Sequence, residues 1–257
     1  MKHTTLCRSA LAGLVASASV LLSASALAAS PTATPARPDF TGVWTNAGAP
    51  GIGGATRGGG PQPLPLKPEA KARVDAYQKL VGPTGDSPGG WCLGYGMPSS
   101  MMSSGGYPME IIQRPEQITI VYEAHTEVRR IYFGDRNAAQ KDRVPGRNGY
   151  SAGRWEGNTL VVETDNLVDQ VDQRWAHSDD AKIVERYHLE DKPDAQGRRV
   201  LVADMVLTDP KFYTAPVTEQ KRWAEVPNGR LLPYECPEET WIQHLQELAQ
   251  KAGVPLP

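Results

Sequence analysis

Cysteine is scarce in this chain: three residues in 257, at positions 7, 92 and 236. No cysteine has a second one two residues away, and neither His125 nor His188 has a histidine or cysteine at ligand spacing. A metal site is therefore not indicated. Blocks of Lys and Arg are also missing. "RVPGR" at 143–147 is too short to count as one, and the formal net charge is -2. Nucleic-acid binding needs clustered positive charge, so no nucleic-acid partner is expected. The lack of an internal repeat argues against a propeller. Gly149-Tyr150-Ser151 lacks the spacing of a nucleophile elbow. "RGGGPQP" at 57–63 lacks the lysine and following helix of a phosphate-cradling loop. No cofactor is expected.

Only the N-terminus carries a long apolar run. Lys2 and Arg8 precede Ala10 to Leu22, and Ala26-Leu27-Ala28 places small residues where a signal peptidase reads. Residues 1–28 read as a secretory signal peptide cut after Ala28, the alternative being an uncleaved anchor. No later run is long enough to span a bilayer, so the mature chain is expected in the periplasm or outside the cell, without a membrane span. Cleavage removes two basic residues and no acid, which leaves a mildly acidic product. Cys92 and Cys236 survive it. In an oxidising compartment an even pair predicts a disulfide, worth at most about 5 kcal/mol for so long a loop. The alternative is two buried thiols. Residues 29–38 form a Pro/Ala/Thr linker, and 39–257 suffice for a single domain.

The pattern along that domain is mainly β. Phe40 to Thr45 reads as a first strand, and the Gly/Pro run from Ala47 to Pro65 as a loop. Pro68 opens a helix near residues 68–81, with Ala70, Val74, Tyr77 and Val81 on its inner side and Gly82 after its end. Ser87 to Tyr107 is a Gly/Ser/Met segment with Cys92 inside it, which predicts an ordered lid tied to the C-terminal region. "MEIIQ" and "ITIVYEAHTEVRRIYF" then read as strands. "GYSAGRWEGNTLVVETDN" reads as a hairpin turning at Glu156-Gly157-Asn158. A second hairpin turns across Lys192 to Gly197, and "TEQKRWAEV" follows as a further strand. A C-terminal helix over Thr240 to Lys251 carries Trp241, Leu245 and Leu248 on one face. Hairpin-spaced strands without alternating helices predict an antiparallel lipocalin-like barrel or a sandwich, with long Gly/Pro loops.

Several segments carry resemblances. "TGVWT" puts Gly42 and Trp44 in a G-x-W arrangement that resembles lipocalin-like barrels, where the tryptophan plugs the closed end. "CLGYGMP", "GYSAGRWEGNTLVVET", "HSDDAKIVERYHLE", "LTDPKFYTAPV" and "YECPE", in this order, resemble a large family of exported bacterial proteins, mostly uncharacterised. That resemblance runs from Phe40 to about Glu238 and implies a compact β-rich exported domain. A fainter one is to small secreted proteins that cleave lignin-type aryl ethers without a cofactor.

Three clusters could carry chemistry. Arg174, His177, Ser178, Asp179 and Asp180 share one polar loop. His177 could move a proton, Asp179 could fix its tautomer, and Arg174 could hold a carboxylate or a developing oxyanion. The bland alternative is a solvated turn. Tyr150, Arg154 and Trp155 stand on the first hairpin; by alternation Ser151, Gly153 and Trp155 share one face, Tyr150 and Arg154 the other. Tyr150 could be a proton donor at a rim, while Trp155 could simply pack at the hairpin end. In a continuous strand His125 would share a face with Glu123, Glu127 and Arg129, either lining a barrel interior or forming a solvent face with salt bridges. Asp209, Lys211 and Tyr213 read as a turn.

Together these features predict an exported acid–base enzyme of lyase or ether-cleaving type, acting on a small, partly apolar, aromatic molecule. His177, Asp179 and Tyr150 are the candidate catalytic residues; Arg174, Arg154, Trp155 and His125 are the candidate substrate contacts. The alternatives are a lipocalin-like carrier and a structural subunit of a cell-envelope assembly, with an oligomer or related-subunit partner.

Overall fold

Wherever β-branched and aromatic residues alternate with polar ones, the chain is extended. The described residues, 37–47, 63–103 and 106–253 of a computed structural model, hold nine strands: β1 Gly42–Asn46, β2 Met109–Gln113, β3 Gln117–Tyr122, β4 Glu127–Tyr132, β5 Tyr150–Glu156, β6 Thr159–Asp165, β7 Lys182–Leu189, β8 Val200–Thr208 and β9 Val217–Glu225. The expected signal peptide, the linker up to residue 36 and most of the Gly/Pro loop lie outside the described residues. Each strand pairs with its sequence neighbour, and β9 pairs with β1, so the sheet closes into a barrel. Closure leaves no strand edge to protect.

Alternation sorts the side chains. In β7, Ile183, Glu185 and Tyr187 point inward and are buried, while Lys182 and Arg186 face solvent. The expected hairpins both form. Glu156 pairs with Thr159 around Gly157 and Asn158, and Leu189 pairs with Leu201 across the longer connection.

Two features differ from the sequence expectation. β4 and β5 are parallel, because residues 133–149 carry the chain back along the barrel before β5 begins. The barrel is therefore mixed, with antiparallel pairing everywhere else. Second, "ITIVYEAHTEVRRIYF" is a hairpin and not one strand: Tyr122 pairs with Glu127, and residues 123–126 form the turn. His125 and Thr126 both have positive φ there, which ends the alternation. His125 thus leaves the sheet, while Arg129 points into the barrel.

The register separates two ends. One carries the connections between β2 and β3, β5 and β6, and β7 and β8. Here Trp44 is fully buried, its indole N–H donates to the Phe40 carbonyl (2.8 Å), and the Arg199 guanidinium lies 5.3 Å from its ring. Arg199 also pairs with Glu225 and donates to the Asp39 carbonyl (2.7 Å), which locks this end. That matches the plug expected from the G-x-W arrangement. The connections from β6 to β7 and from β8 to β9, and the segment leading into β2, lie at the other end.

Between the ends the interior is filled. Trp44, Trp223, Ile111, Ile118, Ile120, Ile131, Leu160 and Met205 form the apolar part. Beneath the long connections lies one polar layer: Arg129 and Glu185 form a buried bidentate ion pair. Arg129 also donates to Ser151 Oγ (3.0 Å) and Thr164 Oγ1 (2.8 Å), and the Tyr187 hydroxyl donates to Glu185 (2.9 Å). Burial, helped by the Glu185 carboxylate and opposed by the Arg129 charge, raises the Tyr187 pKa well above the usual phenol value, so the phenol stays protonated.

Three α-helices among the described residues lie outside the sheet. α1 (Pro68–Val81) buries Ala70 and is fixed by Arg73, which pairs with Asp169 and stacks over Phe212. α2 (Ser99–Met102) covers the barrel mouth, with Met101 Sδ 2.8 Å from the Tyr187 hydroxyl. α3 (Cys236–Ala252) buries none of its residues, and Trp241 and Leu248 are exposed. The Cys92–Cys236 disulfide, with Cα atoms 5.4 Å apart, ties it to the segment before α2. Among the described residues no helix is long and apolar enough to cross a membrane.

The buried pair gives a direct test. Glu185→Leu strands a guanidinium in the barrel and should cost about 3–5 kcal/mol in chemical denaturation, whereas Arg129→Met/Glu185→Leu should recover most of that loss. A single variant within about 1 kcal/mol of the parent would contradict the pairing.

Candidate functional site

The segment from 87 to 103 buries Met97 and Met101 in the core, and between those anchors its path depends on its backbone groups finding partners. The Glu127 carboxylate accepts from the Gly96 N–H (3.0 Å), the Ser100 hydroxyl and the Asn148 amide (2.9 Å). Arg147, paired with Asp172, donates to the Gly94 carbonyl (2.8 Å), and Gln170 donates to the Tyr95 carbonyl (2.9 Å). A side chain at residue 94 would put its Cβ 2.7 Å from the Glu127 carboxyl carbon, so only glycine permits this approach.

His177 belongs to this wall. It is buried, with Nδ1 3.0 Å from the Ser178 carbonyl, and Nε2 3.1 Å from the Met97 carbonyl and 3.2 Å from the Gln173 amide nitrogen. A neutral ring satisfies the site by donating from Nδ1 to Ser178 and accepting at Nε2 from Gln173. Burial, opposed by the two carbonyls, pushes its pKa down, which favours that neutral form.

The wall encloses a cavity of about 520 Å³ beside the barrel mouth. Tyr95, Tyr107 and Tyr234 are its aromatic lining; Ser99, Ser103, His125 and Arg174 add polar groups. His125 stands at the centre. Its ring meets Tyr95 edge-on at 5.2 Å and Tyr234 at 4.8 Å, and Tyr107 meets Tyr234 at 5.6 Å. Neither ring nitrogen has a hydrogen-bond partner among the described residues, and Nδ1 is buried. His125 and Thr126 occupy the left-handed region, and for the β-branched Thr126 this is a strained conformation. Burial lowers the His125 pKa, with Glu127 acting against it, so the ring is neutral at pH 7 and able to take a proton. Burial and the neighbouring phenols raise the pKa of Tyr234. Ser99 Oγ is buried without a partner. Ser103 Oγ accepts from the Trp175 indole (3.2 Å), which leaves the Ser103 proton free.

Of the residues singled out from sequence, His125 and Arg174 meet in this cavity; the others do not. Asp179 pairs with Lys211 on the surface (2.7 Å) and makes no bond to His177. Tyr150 stacks on Tyr132 (5.3 Å) under the Arg143 guanidinium (4.5 Å), and its oxygen accepts from the Ala138 N–H. It thereby secures the 133–149 connection. Arg154 forms surface pairs with Glu163 and Glu156. Trp155 packs on Phe40 (5.4 Å), near the plugged end. Asp209 does form the expected turn, accepting from Ser178, Lys211 and Phe212.

Sequence reasoning missed Ser99, Tyr95, Tyr107 and Tyr234. The disulfide was the available signal: Tyr234 precedes Cys236 by two residues and Tyr95 follows Cys92 by three, so pairing the cysteines brings both tyrosines together. Among the described residues, no three of His, Cys, Asp and Glu come together as a metal-binding set. Comparison with known proteins finds no matching family model and no significantly similar curated protein.

The two depressed histidines couple stability to pH. Below about 6.5 the unfolded chain takes up protons that the folded His125 and His177 refuse, so their contribution is present above that pH and is lost as pH falls toward the folded values. Denaturation between about pH 7.5 and 5.5 should show stability falling with acidification, and His177→Gln should lower stability by about 1–3 kcal/mol and flatten the slope. An unaltered slope in a folded variant would contradict the buried neutral ring.

Proposed function

We propose that the chain is an exported enzyme working by acid–base chemistry on a small aromatic substrate, of lyase or ether-cleaving type, with the cavity around His125 as its active site. One observation carries this reading: a neutral histidine in strained backbone, its ring nitrogens unpartnered among the described residues, faces a cavity walled by three tyrosines. Strained backbone and unsatisfied buried groups persist where function uses them. A cavity of this size, with aromatic walls and few polar groups, suits a molecule of one or two aromatic rings.

In the proposed step His125 takes a proton from the carbon beside the one bearing the ether oxygen. The C–H pair becomes a C=C bond, the C–O bond breaks, and its electrons pass to the oxygen. That oxygen takes a proton from Tyr234, whose raised pKa keeps it protonated until then. Solvent restores both groups. No oxidant or reductant is required. The resemblance to secreted aryl-ether-cleaving proteins guides the choice of substrates.

The carrier alternative expects an apolar cavity with few titratable groups, whereas His125, Arg174 and three tyrosines line this one. The assembly-subunit alternative has one observation in its favour, the exposed Trp241, Ile242 and Leu248 on α3. It predicts concentration-dependent association in sedimentation, lost in Trp241→Ser/Leu248→Ser.

The purified protein should be screened against aryl-ether dimers and simple esters with product detection. On a responsive substrate, His125→Gln should keep the fold and lower turnover by about 100- to 10,000-fold. kcat/KM should fall on the acid side, with a midpoint below the ordinary histidine value of 6.5. Full turnover in a folded His125→Gln variant would move the chemistry elsewhere.

A further inference from the structure

Every polar side chain on the cavity wall can donate a hydrogen bond, and no carboxylate lines it. Arg174 is the wall's one charged residue, although the chain as a whole has more acids than bases. Most described arginines near an acid are paired with it: Arg73 with Asp169, Arg143 with Asp165, Arg147 with Asp172. Arg174 has no such partner among the described residues. At the buried side of the cavity, the Ser99 hydroxyl has no hydrogen-bond partner among the described residues. Ser103 accepts from Trp175 and keeps its own proton available to donate toward the cavity.

A wall of donors around one unpaired guanidinium is the complement of an anion carrying acceptor oxygens. We infer that the cavity selects an aromatic carboxylate, its ring held among Tyr95, Tyr107 and Tyr234, its carboxylate on Arg174 and a second oxygen substituent at Ser99. This rests on reading the cavity as the site of an aromatic substrate, and assigns Arg174 to the ground-state anion and not to charge formed during reaction. Arg174 is exposed, so its pairing is screened by salt. Its contribution should appear as discrimination between anion and neutral isostere rather than as tight binding.

The test uses 4-methoxycinnamate and its methyl ester as matched probes, titrated into the intact protein by calorimetry. The acid should bind at least about tenfold more tightly than the ester, and added salt should narrow the gap. Arg174→Gln should abolish the preference while leaving ester affinity unchanged. Ser99→Ala should weaken both probes. Gly89→Ala is the blocking control, because a Cβ there stands 2.5 Å from the Tyr95 hydroxyl and 3.0 Å from His125 Cε1. Equal binding of both probes, abolished by Gly89→Ala, would overturn the carboxylate inference while the cavity reading stands. Binding that survives Gly89→Ala unchanged, or no binding to the parent protein, would overturn both.

Discussion

Backbone carbonyls that must find partners hold this molecule's working end together. The segment between 87 and 103 crosses the barrel mouth with little regular structure, and side chains from distant parts of the sequence meet its polar groups. Arg147 reaches Gly94, Gln170 reaches Tyr95, Gln173 reaches Met97, and Glu127 reaches Gly96. Each contact places a wall residue of the cavity or its neighbour. The disulfide performs the same service for Tyr234, since α3 buries nothing that could anchor it. A cavity built this way owes its shape to hydrogen bonds and one covalent link as well as to the buried Met97 and Met101.

The barrel beneath supplies rigidity. Its plugged end is closed by Trp44 and Arg199, and its open end by a layer in which Arg129 and Glu185 satisfy one another and three hydroxyl groups. A buried ion pair adds little net stability compared with an apolar filling, yet it tolerates few alternatives, because each charge needs its partner in place. Met101 rests on this layer through Tyr187, so α2 and the serines beside it inherit a fixed position.

Much of the barrel was legible because alternation and turn chemistry agree. Gly157-Asn158 and the Lys192–Gly197 connection turn where the pattern says, and Trp44 lands in the plug. The parallel pairing of β4 with β5 was not legible, since no local pattern records where a long connection delivers the chain. The hairpin at 123–126 was hidden for a different reason. Ala-His-Thr contains no glycine or proline, and its positive φ angles are imposed by surrounding structure against local preference. The loop at 174–180 misled through composition: its charges read as a proton-transfer cluster, but burial takes His177 into the wall and leaves Asp179 outside with Lys211. Charged residues at inward strand positions, Arg129 and Glu185, were visible in the alternation itself. They mark the interior polar layer and not the cavity.

The central claim is that His125 faces the site where a small aromatic molecule binds. Nuclear magnetic resonance of the histidine rings tests it most directly, using protein labelled at histidine and titrated with 4-methoxycinnamate. The His125 ring signals should shift strongly on binding and titrate below the ordinary value of 6.5, while His188 and His244 stay put. A saturating probe that leaves the His125 ring unmoved, or moves His188 or His244 instead, would place the binding site elsewhere.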